Sequence, residues 1–262
     1  MTSVSVISRG AWRIAGLALS LAACASAPSG DDQGGGETAT PHLVANALTP
    51  AQYFQSALTT AQLDATSAAQ MAATADARET LSYAVGCALS DAQSITFSVA
   101  GTSYTFTGEL GLQPGWTTGA LSASDAAWIS ACVLARVNLT GAHVSISVRG
   151  SASALATTAS EVAAWRLEEG AFWGNAFTDL GAVTGYACDG IDQSADDTRG
   201  DLPERQCAQP DGVTDSQATP CGFTYAGACT AVCSDASPYT GCAFPGDAAS
   251  AHVVTTFVQD SP

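Results

Sequence analysis

The densest mixture of aromatic and carboxylate side chains in this chain runs from Trp165 to Asn175, with the sequence WRLEEGAFWGN. Stacking rings and paired carboxylates are groups that proteins use to bind or cleave sugars. Glu168, Glu169 and Trp173 are therefore candidate binding residues, together with Trp116 in an upstream loop. The competing interpretation is that the rings belong to the core. On a helix, two adjacent carboxylates point about 100° apart, which argues against one catalytic face for both.

A second group of oxygen ligands lies further along the chain. The alternation of Asp192, Ser194 and Asp196 is typical of calcium loops, because calcium takes six or more oxygen ligands. The EF-hand pattern fails here, since Asp197 stands where that loop needs Gly. One interpretation is a structural calcium bound by Asp189, Asp192 and Asp196. The other is an acidic, solvated loop without any cofactor.

Eight of the nine cysteines lie beyond residue 80, and this even number fits four disulfides in an oxidising compartment. Cys87 and Cys132 are isolated in the sequence. The other six lie close together between residues 188 and 242: Cys188, Cys207, Cys221, Cys229, Cys233 and Cys242. Pairing Cys87 with Cys132 is the economical assignment. The competing interpretation is a zinc site, with the ligands Cys221, Cys229, Cys233 and Cys242. The lack of a neighbouring His argues against zinc.

The three histidines give little support for catalysis. His42 precedes the predicted core, and His143 and His252 stand beside predicted strands. A hydrolase triad needs one of them close to a nucleophile. The chain has no Gly-x-Ser-x-Gly elbow, no His-Glu-x-x-His motif and no phosphate-binding glycine loop. We therefore expect polar roles at strand edges for His143 and His252.

The elements that must position these groups alternate between helical and strand patterns over residues 43–187. Capping signals and helical spacing predict helices from Pro50, across Leu81–Leu89, from Ser122, and from Thr158 to Gly170. Alternating apolar residues predict a hairpin over Ile95–Phe106, a strand over Val144–Val148 and a closing strand over Val253–Val258. Together they predict an α+β core.

The remainder of the chain, residues 188–262, has a different character. Asp, Gly, Pro and Cys dominate it, so its order must come largely from disulfides. The expected fold is α+β, with helices packed on a small, mostly antiparallel sheet and a disulfide-rich loop segment before the last strand.

The start of the chain carries the pattern of a secretory signal peptide over residues 1–23. Arg9 and Arg13 precede an apolar run, Ile14–Leu21, that is too short to cross a bilayer, since a spanning helix needs roughly 20 residues. Leu21-Ala22-Ala23-Cys24 resembles the lipobox of bacterial lipoproteins. That resemblance implies cleavage before Cys24, acylation of its thiol and a palmitate-type anchor in the membrane.

The residues after the lipobox point to an outer-membrane lipoprotein. Ala25 replaces the Asp that favours retention in the inner membrane of such lipoproteins. Residues 24–42 are rich in Gly, Ser, Pro and acidic residues, and we expect a flexible tether there. Three blocks of the mature chain resemble exported lipoproteins of myxobacteria, a group that brings no known activity: Trp128–Asn138, Ile146–Gly150 and Glu168–Asn175.

The charge of the chain excludes one class of partner. There is no Lys, and once residues 1–23 are removed six Arg face 24 acidic residues, a formal net charge of −18. Such a surface repels phosphates, so nucleic acid is not expected as a partner. We therefore expect a lipid-anchored envelope or surface module that binds a protein or glycan, or serves a structural role. The alternative is an extracytoplasmic hydrolase that acts on glycans through Glu168 or Glu169, with Asp179 nearby in sequence.

Overall fold

Side-chain caps set the starts of the first five helices in the chain. The computed structural model describes residues 43–191, 207–208 and 218–259, which belong to a compact unit spanning Ala39–Pro262. The helices are α1 (Pro50–Phe54), α2 (Ala65–Met71), α3 (Ala75–Ala88), α4 (Ala123–Ala135), α5 (Ala159–Ala164) and α6 (Cys229–Val232). The predicted signal peptide, Cys24 and tether lie outside the described residues.

The predicted capping box at Thr49 and the predicted helix start at Ser122 are both confirmed. The Thr49 side chain accepts from the Gln52 amide at the start of α1, and Ser122 and Asp125 cap each other at the start of α4. Each cap satisfies amide groups that the first turn of a helix leaves without an internal partner. These local signals explain why the starts of α1 and α4 were predictable from sequence.

The strands form one six-stranded mixed sheet and one separate hairpin. They are β1 (Leu43–Asn46), β2 (Ser94–Val99), β3 (Thr102–Thr107), β4 (Val144–Arg149), β5 (Leu167–Asn175), β6 (Thr184–Asp189), β7 (Thr224–Ala228) and β8 (Val254–Val258). The large sheet has the order β1-β4-β8-β5-β6-β7, in which only the β6–β7 pair is parallel. The hairpin β2–β3 and the return of the closing strand β8 to the sheet match the predictions.

The sheet is larger than predicted, because β1, β5, β6 and β7 join the two predicted strands, β4 and β8. Helix α5 ends at Ala164 instead of continuing to Gly170, and residues 167–175 form strand β5. Seven consecutive residues of β5 are buried. A strand covered on both faces lacks the apolar–polar alternation by which strands are recognised, so its sequence resembles a buried helix.

Alternate residues of β5 serve two apolar clusters. Phe172 lies in the main core, with residues of α3 and α4. Ala171 and Trp173 belong to a smaller cluster that contains Cys188, Cys229, Cys242 and Tyr239. The cystine-rich segment therefore covers part of the sheet with its own small core.

Four disulfides join the elements. They link Cys87 to Cys132, Cys188 to Cys229, Cys207 to Cys221, and Cys233 to Cys242. The first, which joins α3 to α4, confirms the pairing predicted from sequence. Each closed loop removes conformational freedom from the unfolded chain, which contributes about 2–4 kcal/mol. Within the described ranges, no helix is both long and apolar enough to cross a membrane.

Candidate functional site

A cavity of about 510 Å³ opens between the start of β5 and the loop that follows α6. Its volume falls within the roughly 300–1,000 Å³ of typical small-molecule sites. Its wall contains hydroxyl, carboxylate and apolar groups and consists of Glu168, Ile191, Thr230, Cys233, Ser234, Asp235, Ala236, Ser237 and Tyr239. The cavity can therefore offer both hydrogen-bond donors and acceptors to a ligand.

Glu168 is the most deeply buried acidic group of this wall, with 2% of its surface exposed. Its Oε1 accepts hydrogen bonds from the Tyr239 hydroxyl at 2.7 Å and from the Ile191 amide at 3.2 Å. A Cβ atom on Gly190 would lie 2.6 Å from the Glu168 carbonyl oxygen and 2.9 Å from its Cγ. Glycine at position 190 thus allows the chain to pack against the backbone and Cγ of Glu168.

Hydrogen bonds fix Tyr239 at both its backbone and its side chain. Its amide donates to the Thr255 hydroxyl of β8 at 2.9 Å, and its own hydroxyl donates to Glu168. Burial raises the pKa of Tyr239 well above its usual value, and the carboxylate of Glu168 raises it further. The phenol therefore remains a hydrogen-bond donor throughout the physiological pH range.

The buried guanidinium of Arg149, at the end of β4, lies near the acidic groups Glu161 and Glu168. The Arg149 Nε donates to the Ser147 hydroxyl at 2.9 Å, and its guanidinium also donates to the Trp165 carbonyl. The Ser147 hydroxyl in turn donates to Glu161 Oε1 at 2.7 Å. Burial lowers the pKa of Arg149, while the charges of Glu161 and then Glu168 raise it. The cation therefore compensates for acidic groups that the fold takes away from water.

The second carboxylate of the predicted pair, Glu169, faces a different partner. The register between β5 and β8 shifts between Glu168 and Gly170, so an extra residue is accommodated at Glu169. Its Oε2 accepts from the Thr256 hydroxyl at 2.7 Å. The two carboxylates point to different partners because they lie at a bulge in a strand, whereas the sequence predicted a helix there. Of the two, only Glu168 lines the cavity.

Both predicted tryptophans are buried away from the cavity wall. Trp116 donates from Nε1 to the Ala61 carbonyl at 2.8 Å, and its ring packs edge-on against Phe177. Trp173 stacks on Tyr186 with ring centroids 5.8 Å apart. These rings therefore have the core role that the sequence left open as the competing interpretation.

The predicted calcium ligands fall only partly within the described residues. Asp189 Oδ1 accepts from the Tyr225 hydroxyl at 2.8 Å, a contact between β6 and β7. Asp192 and Asp196 lie outside the described residues, so the calcium site stays a prediction. Asp179, a further acidic candidate, accepts from the amide and the hydroxyl of Thr60.

A serine–histidine contact occurs elsewhere, at the first turn of α4. The Ser124 hydroxyl lies 2.7 Å from His252 Nε2, and the His252 ring packs edge-on against Trp128. Burial lowers the pKa of His252, and the charge of Asp125 raises it. Ser124 is exposed, and its contact with His252 connects α4 to the residues before β8.

A second cavity, of about 360 Å³, lies beside α3 and the hairpin. Arg136 lies in its wall with its guanidinium 2.8 Å from Glu109 Oε2 and 4.6 Å from the centre of the Tyr83 ring. His143 and Glu79 also line it. Burial lowers the pKa of Arg136, and its pairing with Glu109 raises it.

Sequence reasoning identified Glu168 and missed the rest of the larger cavity. Its other walls come from α6 and from the loop Ser234–Tyr239, whose residue types are those of an ordinary surface loop. No family model, curated protein or solved structure matches this chain significantly. A function must therefore be argued from the geometry of the cavity.

Proposed function

We propose that this protein is an exported, lipid-anchored module of the bacterial cell envelope that binds a glycan in the Glu168–Tyr239 cavity. The observation that carries the proposal is the Glu168 carboxylate, buried in the wall of a cavity of about 510 Å³. Thr230, Ser234 and Ser237 supply hydroxyls around it. A polyhydroxylated ligand matches such a wall, because each of its hydroxyls can both donate and accept.

Binding is favoured over catalysis by the contacts of Glu168. One of its oxygens already accepts from Tyr239 and from the Ile191 amide, which fixes the side chain in place. A general acid or base must instead reach the proton that it transfers.

The acidity of the chain supports an uncharged or cationic ligand. Asp235 lines the cavity together with Glu168, so two carboxylates face the same space. A phosphorylated or strongly anionic ligand would meet like charge in the cavity and a formal net charge of −16 over the full sequence. Neutral and amine-bearing sugars are therefore the ligands to test first.

The alternative function is an extracytoplasmic hydrolase of glycans or cell-wall material. It rests on the same two carboxylates, Glu168 and Asp235, which both line the cavity. Glycosidases use such a pair on opposite sides of the scissile bond. Turnover of a glycan by the wild type, and its loss in Asp235→Asn, would support the hydrolase over the binding module.

The binding experiment uses the disulfide-bonded protein with neutral chito-oligosaccharides and their amine-bearing, deacetylated forms as probes in calorimetric titration. We expect Glu168→Gln to weaken binding by about tenfold, which corresponds to roughly 1.4 kcal/mol. Asp91→Asn is the matched control, because it removes one carboxylate from an exposed turn outside the cavity. Equal affinity in wild type and Glu168→Gln would show that the ligand binds elsewhere.

The anchor is tested separately. We propose that Cys24 is acylated and that the protein resides in the outer membrane. Mass spectrometry of unreduced protein from membranes should find an N-terminal Cys24 that carries acyl chains, and Cys24→Ser should release the protein from the membrane. An unlipidated Cys24 in the wild type would contradict this part of the proposal and leave the cavity unaffected.

A further inference from the structure

Two disulfides meet at one side of the cavity. Cys188–Cys229 connects β6 to the start of α6, and Cys233–Cys242 connects the end of α6 to the segment before β8. Although they belong to different disulfides, the Sγ atoms of Cys188 and Cys233 are 3.9 Å apart. The Sγ atoms of Cys188, Cys229 and Cys233 all lie within 4.8 Å of one another. The Cys188 Sγ therefore lies close to two possible disulfide partners, Cys229 and Cys233.

Only one of these four sulfurs belongs to the wall of the cavity. Cys233 is half-buried and lines the cavity, whereas Cys188, Cys229 and Cys242 are fully buried. The disulfides outside this cluster, Cys87–Cys132 and Cys207–Cys221, are also formed by fully buried cysteines. Since exchange requires a thiolate to reach a disulfide sulfur, a small thiol that enters the cavity reaches Cys233 first.

From this arrangement we infer that the four cysteines form a thiol–disulfide exchange site that takes low-molecular-weight thiols through the cavity. A thiolate of the small thiol attacks Cys233 Sγ, forms a mixed disulfide and releases the Cys242 thiolate, which takes a proton from water. A second thiolate attacks the sulfur of the bound thiol and releases the Cys233 thiolate. Two small thiols are thereby oxidised to one disulfide, and two electrons reduce Cys233–Cys242.

The Cys233 thiolate then has a target beside it. Its attack on Cys188 Sγ forms Cys188–Cys233 and releases the Cys229 thiolate, with no net change in oxidation state. Cys229 and Cys233 are four residues apart, at the start and just beyond the end of the single turn of α6. Re-pairing therefore moves the attachment point of β6 from the start of α6 to its end. It also draws Cys233 towards Cys188, because their sulfurs are 3.9 Å apart and a disulfide bond is about 2.05 Å long.

This exchange changes the cavity itself. The residues that follow Cys233, from Ser234 to Tyr239, form one wall of the cavity. A shift of α6 against Cys188 moves that wall relative to Glu168. The redox state of the cluster thus controls the shape of the cavity, whichever ligand the cavity binds, so the exchange chemistry does not depend on the proposed function.

The test uses Cys242→Ala, which leaves Cys233 as a thiol beside the intact Cys188–Cys229 disulfide without any added reductant. The oxidised protein is incubated above pH 8.5, the ordinary pKa of a thiol, then quenched in acid and alkylated. Tandem fragmentation between Cys229 and Cys233 locates the alkyl group. We expect label on both cysteines, in amounts within about tenfold of each other, with Cys188 linked to the unlabelled one.

The matched control is Cys221→Ala, which frees the buried Cys207 instead. It should leave Cys188 paired with Cys229 alone. The inference is overturned if Cys242→Ala carries its label on Cys233 only, or if the control yields as much Cys188–Cys233 as Cys242→Ala does.

A wild-type experiment decides the question if Cys242→Ala fails to fold. Limited reduction with glutathione, followed by alkylation, should label Cys242 first, together with Cys229 or Cys233. Cys87–Cys132 and Cys207–Cys221 should remain closed. Simultaneous opening of all four disulfides, or an absence of Cys188–Cys233 linkage, would refute the exchange site.

Discussion

The Tyr239 hydroxyl donates a 2.7 Å hydrogen bond to Glu168 Oε1 and thereby joins the loop after α6 to the first residues of β5. The two residues are 71 positions apart in the chain, and both are buried. The contact connects the cystine-rich segment to the sheet at the cavity.

Tyr239→Phe removes the hydroxyl and keeps the ring. Because a buried carboxylate then loses a donor, we expect the free energy of unfolding to fall by about 1.5–3 kcal/mol. Urea denaturation of the disulfide-bonded protein measures the change. Tyr104→Phe, which removes the hydroxyl of a half-buried ring in the hairpin, is the control and should alter stability by less than about 0.5 kcal/mol. Similar losses in both variants would contradict the role of the Glu168 contact.

Gly190→Ala introduces a Cβ that would lie 2.6 Å from the Glu168 carbonyl oxygen. Backbone must shift to accommodate it, so we expect a loss of about 1–3 kcal/mol and weaker binding in the cavity. Gly115→Ala is the matched control, since a Cβ there has no neighbour within 4 Å. Thermal unfolding compares the two. A Gly190→Ala protein as stable as Gly115→Ala would show that the chain over Glu168 is loosely packed.

Arg149→Met leaves Glu161 and Ser147 without the cation that lies beside them. Removing one member of a buried charge cluster costs about 3–5 kcal/mol, because the remaining charge stays uncompensated. Adding Glu161→Gln should restore part of that loss. A double-mutant cycle of unfolding free energies measures the coupling, and strictly additive effects would mean that Arg149 and Glu161 do not interact.

Stability should fall at high pH through the two tyrosines that donate to carboxylates, Tyr239 and Tyr225. The pKa of Tyr239 and of Tyr225 is raised in the folded protein, chiefly by burial and then by Glu168 and Asp189, respectively. The unfolded chain therefore releases these protons first, at about pH 10, and stability that is present below that pH decreases above it. Tyrosinate absorbance and urea unfolding between pH 9 and 11.5 measure both effects. Tyr239→Phe should flatten the decrease, and an unchanged slope would contradict the assignment.

Local signals in the sequence determined much of the helical framework. The capping boxes at Thr49 and Ser122 and the alternating residues of the hairpin act over a few positions, so they are readable without the fold. Cysteine counting also identified the Cys87–Cys132 pair, because these two cysteines stand apart from the other six.

Tertiary structure decided strand β5 and, with it, the cavity. Residues 167–175 lack alternation because both faces of the strand are covered, so the sequence predicted a helix to Gly170. The partners of Cys188, and the meeting of Glu168 with Tyr239, depend on how distant segments pack on the sheet. Such long-range contacts leave no periodic signal in the chain, because their free energy comes from burial that exists only after folding.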